Sequence, residues 1–266
     1  MSQVIIIGLD IAKNVFHAHG ADERGAMVFS RKLTRAKLLD FFAGQPACVV
    51  ALEACGGAHH WARKLVVLGL DARIIAGQHV SPYRLQGKTG KNDANDAAAI
   101  CEAASRPRMH FVPIKTASQQ GMLCVHRLRE GFKQDRTACV NRIRGLLAEF
   151  GIVVAQSTRA LRAVLSEVLE DGSNELSGLA RLAIERAQDQ WRELDEHMDW
   201  CDKRIAAHVH DDTQAHAAVE LLGVGPVTAS ATVATVGDFK QFKNGSQFGA
   251  WLGLTPKQNS SGGKNN

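Results

Sequence analysis

The stretch that decides the fold is 4-VIIIGLDIAKN-14, a near-continuous apolar run that ends on an acid. An apolar run without alternation predicts a strand buried on both faces, at Val4–Leu9. Asp10 then stands at the carboxyl end of that strand. Ligands usually bind at such strand ends in α/β sheets, so the same stretch also marks a candidate site.

The rest of the first third continues as alternating strands and helices. Further strands are predicted at Val15–Ala21, Ala26–Leu33, Ala47–Leu52 and Ala72–Ile75. Helices are predicted from a Thr34 cap through Phe42 and from His59 to Leu68. Three strands in hairpin order, followed by alternating helix and strand, predict a mixed sheet with helices on its faces.

After Pro113 the pattern becomes helical. An apolar stripe runs from Thr116 to Phe150 through Val125, Leu128, Phe132, Val140, Ile143 and Leu147. A second stripe, from Ala180 to His208, alternates spacings of four and three residues, which is typical of a coiled coil or a long antiparallel helix pair. We therefore expect three domains: an α/β domain at 1–112, a basic helix with a coiled-coil region at 113–215, and a helical domain at 216–266.

Composition excludes several classes of protein. The 266 residues are 45% hydrophobic and 22% charged, as in ordinary globular proteins. No apolar run is long enough to cross a membrane, and no signal peptide is recognisable, so we expect a cytoplasmic protein. The six cysteines form no CxxC pair, so we expect reduced, mostly buried thiols rather than a zinc site.

Charge is distributed unevenly along the chain. Residues 106–144 carry nine Lys or Arg against two acids, and residues 151–222 carry seven against fourteen. A basic block next to an acidic one indicates a polyanion-binding segment beside a solvated or pairing helix. The candidate nucleic-acid-binding side chains are Arg127, Arg129, Lys133, Arg136, Arg142 and Arg144. The alternative is a solvated helix face.

Two glycines interrupt the apolar stretch 221-LLGVGPVTASATVATVGDF-239. Gly223 and Gly225 lie between two helical patterns, as in a helix-hairpin-helix, where backbone N–H groups at a helix start meet a phosphate. A simple helical connection with glycine caps explains the same residues.

Four acids could form a metal site. Asp10 and Glu53 end predicted strands, and Asp93 and Asp96 share one face of the helix that starts in 88-KTGKNDANDAAAI-100. Asn92 or Asp93 could instead cap that helix. If the four carboxylates converge, their repulsion requires cations, and such oxygen ligands suit Mg²⁺ or Mn²⁺.

Five motifs together resemble a known family. GLDIAKN, ALEACGG, KNDANDAAAI, LLGVGPVTA and FGAWLGLTPKQNSSGGK occur in this order over nearly the whole chain. The chain is similar to the insertion-sequence-110-type transposases, which include the Piv/MooV DNA invertases. The resemblance implies a ribonuclease-H/RuvC-like domain with a DEDD tetrad, a coiled-coil middle, and a C-terminal transposase domain.

The resemblance also implies roles for particular residues. The tetrad would be Asp10, Glu53, Asp93 and Asp96, binding divalent metal, and Ser261 would be the nucleophile of the SSGG motif. The implied chemistry is DNA cleavage and strand transfer through a covalent phosphoserine. A structured guide RNA and a homo-oligomer, a dimer or tetramer, are implied as partners. By composition alone, 259-NSSGG-263 is only a flexible turn.

The sequence departs from the family after Lys264. Family members continue with a basic segment and further helices, so we expect a truncated chain, impaired in recombination. Three other functions stay open: a RuvC-like structure-specific endonuclease that needs no serine, an actin-like ATPase suggested by GLDIAK, and an inactive DNA-binding fragment. The ATPase would need a second phosphate loop and an adenosine motif, neither of which is recognisable.

Overall fold

A computed structural model describes residues 3–84 and 92–254, together with the backbone of 260–261 and 264–265. The chain divides into two compact units, one of Met1–Thr116 with Val236–Asn266 and one of Ala117–Thr235. These units group residues by contact, so the expected three-domain division stays a prediction.

The first unit is built on a mixed six-stranded sheet, as predicted. Its strands are β1 Ile6–Ile11, β2 Val15–Ala21, β3 Met27–Thr34, β4 Val49–Glu53, β5 Asp71–Ile75 and β6 Phe111–Val112, in the order β3-β2-β1-β4-β5-β6. The hairpin strands β1, β2 and β3 are antiparallel, and β1, β4 and β5 are parallel. The short antiparallel edge strand β6 was not predicted.

Helices cover both faces of this sheet. They are α1 Leu38–Ala43, α2 Ala58–Val67, α3 Gly77–Val80 and α4 Asp93–Ala104. Ile7 and Leu9 of β1 face the core formed with α1 and α2, whereas Ile6 faces the core formed with α4. The apolar run does not alternate because both faces of β1 are buried, as the sequence predicted.

The start of α1 differs from the prediction. Thr34 is the last residue of β3, and a 3₁₀ turn, Arg35–Lys37, precedes the helix. Neither Thr34 nor Lys37 makes a side-chain cap hydrogen bond. Thr34 therefore occupies the predicted N-cap position, at the start of the 3₁₀ turn, but its side chain makes no cap hydrogen bond.

Gly8 lets α4 pack directly on β1. A Cβ atom at Gly8 would overlap the carbonyl oxygen of Ala97 and lie 2.5 Å from the amide nitrogen of Cys101. Both are backbone atoms of α4, so side-chain rotation cannot relieve the clash. The absence of a side chain at Gly8 thus sets the distance between the strand that carries Asp10 and the helix that carries Asp93.

We expect Gly8→Ala to lower the free energy of unfolding by about 3 kcal/mol or more, because α4 must move away from β1. Urea unfolding followed by circular dichroism measures this change. Gly56→Ala is the control, since a Cβ atom there meets no atom within 4 Å. Equal stability of the two variants would contradict the close packing of α4.

The second unit is helical. Its helices are α5 Ala117–Ala148, α6 Thr158–Glu170, α7 Gly178–Asp211, α8 Thr213–Val219 and the first ten residues of α9 Pro226–Val236. Arg129 contacts Asp202 and Arg142 contacts Gln190, so α5 and α7 are antiparallel. This is one of the two arrangements that the spacing predicted; self-association as a coiled coil stays a prediction.

The predicted apolar stripe of α5 is fully buried only in its second half, although Phe132 also packs against the same core. Val140, Ile143 and Leu147 are buried against α6 and α7, but Leu128 is 49% exposed. Helix α6 was not predicted at all. Leu161 and Leu165 of α6 fill the core of this unit, which explains why the C-terminal half of α5 is the better buried half.

A buried serine connects α9 to the α5/α7 pair. Ser230 is fully buried, and its Oγ lies 2.9 Å from His126 Nε2 of α5 and 2.9 Å from His208 Nδ1 of α7. A hydroxyl carries one proton, so Ser230 donates to one imidazole and accepts from the other. Burial, together with His208 and Arg129, lowers the pKa of His126.

Ser230→Ala should lower the free energy of unfolding by about 1–3 kcal/mol, because two imidazole nitrogens lose their partner. Thermal and urea unfolding measure the loss. Ser246→Ala, an exposed position on helix α10 Gly245–Trp251, is the control. A loss no larger than that of Ser246→Ala would contradict a structural role of this hydrogen-bond pair.

The C-terminal part of the first unit begins with a compact aromatic group. Helix α10 is capped by Asn244, whose side chain accepts from the amide of Gln247. Phe242 packs against Phe248 and Trp251, with ring centroids 5.1 and 5.7 Å away. Two short strands follow, β7 Ser260–Ser261 and β8 Lys264–Asn265.

Candidate active site

Four acids converge at one end of the sheet. Strands β1 and β4 are parallel neighbours with Leu9 opposite Leu52, so Asp10 and Glu53 follow at the same edge. Both lie on the sheet face that α4 covers. In helix α4, Asn92 is the cap, accepting from the Asn95 amide, and Asp93 and Asp96 lie in the first turn. Of the two predicted cap candidates, the structure selects Asn92, which leaves both aspartates available for another role.

Arg84 bridges two of the four acids. Its Nη2 lies 2.5 Å from Glu53 Oε2, and its Nε lies 2.8 Å from Asp96 Oδ1. Both acids are largely enclosed, with 20% and 22% of their side chains exposed. One guanidinium therefore links the end of β4 to the start of α4. Sequence reasoning missed this residue.

His17 lies on the other side of the site. In the β1–β2 hairpin it pairs directly with Asp10, and its Nε2 lies 3.6 Å from Asp93 Oδ2. This residue was also missed, although the predicted hairpin carried a signal. Directly opposite residues of an antiparallel pair share a face, so the histidine across from Asp10 belongs to the same site.

The acids affect one another electrostatically. The pKa of Asp10 is raised from 3.8 to about 6, first by burial and then by the charges of Asp96, Asp93 and Glu53, while His17 opposes the rise. Among the residues that the structure describes, no group of three or more His, Cys, Asp or Glu is arranged to hold a metal ion. The four predicted acids are thus brought together, but with an arginine bridging two of them.

A raised carboxyl pKa in the folded state makes stability fall as pH rises. The folded protein binds a proton at Asp10 more tightly than the unfolded chain between pH of about 4 and about 6. We expect the metal-free protein to lose this contribution across that window, and Asp10→Asn to lack the loss. Urea unfolding in EDTA at several pH values measures the free energy of unfolding of both proteins. The same pH dependence in the two proteins would contradict the raised pKa of Asp10.

The two histidines nearest to Glu53 in sequence belong elsewhere. His59 Nδ1 accepts a hydrogen bond from the amide of Lys115 at 3.2 Å. Burial and the charges of Lys115 and Arg63 lower the pKa of His59 to about 4. His60 packs against Trp61 on the same helix. His59 therefore binds the backbone of Lys115, and His60 is exposed on the helix surface.

The six basic side chains predicted to bind nucleic acid differ in their surroundings. Arg129 and Arg136 form ion pairs with Asp202 and Asp195 of α7. Arg127, Lys133 and Arg142 are exposed on α5, and Arg144 donates to the carbonyl of Gln156. The first pair therefore helps to hold α5 and α7 together; binding of nucleic acid by any of the six stays a prediction.

The remaining predicted site residues lie in the C-terminal third. Gly223, with a φ of +87°, and Gly225 lie between α8 and α9, and the carbonyl of Gly225 accepts from the amide of Ala229. The helix-hairpin-helix assignment of this connection stays a prediction. The side chain of Ser261 lies outside the described residues, so its predicted role is also untested.

None of the described helices is both long and apolar enough to span a lipid bilayer. All six cysteines are free, and four of them, Cys48, Cys101, Cys139 and Cys201, are buried. This agrees with the reduced, mostly buried thiols expected from the sequence.

Comparison with known proteins identifies relatives over nearly the whole chain. Residues 7–152 match a family model of DEDD transposases of IS110 elements, and residues 215–266 match one described as transposase IS116/IS110/IS902 family. A Pseudomonas aeruginosa protein named probable family 20 transposase is 44% identical over 97% of this chain and 76% of its own length. The transposase for element IS1111A of Coxiella burnetii is 36% identical over 99% of this chain and 72% of its own length.

Proposed function

The chain belongs to the IS110/IS116/IS902 family of transposases, and we propose that it cleaves and transfers DNA strands with a divalent metal held by Asp10, Glu53, Asp93 and Asp96. The observation that supports this proposal is the convergence of the four acids at the end of β1 and β4. Further support comes from Arg84 and His17, which lie within ion-pair distance of Glu53, Asp96 and Asp93.

The donor set fits Mg²⁺ or Mn²⁺. Four carboxylates and no thiolate or neutral imidazole among the proposed ligands are the oxygen-rich set that these hard cations prefer. A bound divalent metal would neutralise charge on the phosphate and polarise its P–O bonds. The sheet keeps Asp10 and Glu53 at fixed positions, and the Gly8 contact fixes the helix that supplies the other two acids.

Ser261 is the proposed nucleophile. Its hydroxyl oxygen would form a bond to the phosphorus of the DNA backbone while the bond from phosphorus to one sugar oxygen breaks. The freed sugar oxygen takes up a proton, and the strand stays attached as a phosphoserine ester. Attack by the freed end of another strand would reverse the step and complete the transfer.

DNA binding is proposed for the exposed side of α5 and for the glycine connection before α9. The exposed Arg127, Lys133 and Arg142 supply positive charge on α5. Backbone N–H groups beside Gly223 and Gly225 would meet phosphates. A structured guide RNA and a homo-oligomer are further proposals, which rest on the family resemblance.

Substitutions separate the metal-dependent and serine-dependent parts of this proposal. Asp10→Asn, or Asp93→Ala with Asp96→Ala, should abolish cleavage of element-end DNA, a loss of at least about 100-fold, because metal binding is lost. Ser261→Ala should keep Mg²⁺ binding but lose the covalent protein–DNA adduct seen on a denaturing gel. Ser260→Ala is the matched control and should keep the adduct.

A different outcome points to a different enzyme. Cleavage that needs the four acids but proceeds equally well in Ser261→Ala indicates a RuvC-like endonuclease that uses water as the nucleophile. Cleavage that survives in the Asp93→Ala, Asp96→Ala double variant would contradict the metal site and leave both residues as part of the first turn of α4.

A further inference from the structure

Arg84 is the feature of the acid cluster that the proposed reaction does not use. It directly follows the 3₁₀ turn Ser81–Tyr83, with an extended backbone (φ −72°, ψ 133°). Its guanidinium places two different edges against two acids, Nη2 on Glu53 and Nε on Asp96. A guanidinium is a planar cation with five N–H donors, so Arg84 supplies both positive charge and hydrogen bonds to the two acids.

Glu53 is held through one carboxylate oxygen. Its Oε2 is bound by Arg84 at 2.5 Å, and the missing side chain of Gly77 leaves room for Oε1, since a Cβ atom there would lie 2.5 Å from that oxygen. Oε2 cannot bind a metal ion closely in the direction that Arg84 occupies. Asp96 likewise has Oδ1 committed to Arg84 at 2.8 Å. In this arrangement Arg84 therefore occupies one oxygen of each of the two acids.

We propose that Arg84 is an exchangeable internal cation, which holds Glu53 and Asp96 together without metal and withdraws when a divalent metal binds. This inference rests on the proposed metal site. The two cations compete because they need the same oxygens of Glu53 and Asp96. With 38% of its side chain exposed, Arg84 has solvent beside it into which the guanidinium can move.

A divalent metal in the cluster would need a geometry different from the one that the hydrogen bonds to Arg84 hold. Metal ligands must lie about 2.0–2.1 Å from Mg²⁺ in near-octahedral geometry. The acids reach that geometry only after the two hydrogen bonds to Arg84 break. Arg84 would thus keep the acids close together while lowering the affinity of the site for metal.

Removing the charge of Arg84 should have opposite effects on stability and metal binding. We expect Arg84→Gln to lower the melting temperature in EDTA, because the acids lose their only bridging cation among the described residues. It should also tighten Mg²⁺ or Mn²⁺ binding by about five- to tenfold, the lower range of coupling between competing ligands. Isothermal titration and thermal unfolding of the purified chain measure the two effects.

Two variants control this experiment. Arg73→Gln removes an arginine that is also 38% exposed and also paired with an aspartate, Asp71, on the same sheet. It should leave metal affinity unchanged. Arg84→Lys keeps the charge but loses the two-edged geometry, so its metal affinity should lie between those of the wild-type protein and Arg84→Gln.

The wild-type protein provides a test that does not depend on a variant. In protein labelled with ¹⁵N-arginine, the Nε–H signal of Arg84, assigned by its absence from Arg84→Lys, should move to a solvent-exposed position when Mg²⁺ is added. A signal that does not move while metal binds would overturn the exchange.

The outcomes distinguish this inference from the proposed metal site. If Asp10→Asn abolishes metal binding but Arg84→Gln binds metal as tightly as the wild type or more weakly, the metal site stands and the exchange is wrong. If the wild type and Asp10→Asn give the same titration, the metal site is wrong and the exchange falls with it.

Discussion

The close approach of helix α4 to strand β1 at Gly8 is the constraint on which the candidate site depends. Two of the four acids belong to the sheet and two belong to the helix, and the close backbone contact at Gly8 holds the helix where the charges of Asp93 and Asp96 act on Asp10. The same contact leaves Ile6 and Ile100 to fill the space around it. The core on this face of the sheet and the acid cluster therefore both depend on the packing of α4 against β1 at Gly8.

The four acids repel one another in the folded protein, and two nearby side chains reduce this repulsion. Burial and the neighbouring charges of Asp96, Asp93 and Glu53 raise the pKa of Asp10, which therefore holds its proton more tightly than an ordinary aspartate. Arg84 and His17 approach from opposite sides and offset part of the repulsion. Repulsion among clustered acids lowers the stability of the folded state, and such destabilising clusters are common at functional sites.

The sequence predicted the sheet and the four acids because both depend on local pattern. Buried strands produce apolar runs, and the acids stand at the ends of elements that those runs define. Gly8 and Arg84 could not be found in this way, because their roles depend on which backbone and which acids lie opposite them in space. Helix α6 is different: Ser157 caps it and Leu161 and Leu165 mark its buried face, so its signal was present and was overlooked. The prediction for Leu128 was wrong for another reason: α7 runs beside this part of α5, as the Arg129–Asp202 ion pair shows, yet Leu128 remains 49% exposed, and an apolar stripe does not reveal which of its members the partner helix covers.

The antiparallel pairing of α5 with α7 reduces the number of basic side chains of α5 that are free to bind a polyanion. A protein binds a nucleic acid partly because its basic side chains displace counterions from the phosphates. Only basic side chains that are not already paired with acids of the protein contribute to this effect. Arg129 and Arg136 already form ion pairs with Asp202 and Asp195 of α7. The dependence of nucleic-acid binding on salt concentration would therefore be shallower than the number of Lys and Arg in α5 suggests, by about one unit of slope for each arginine so committed.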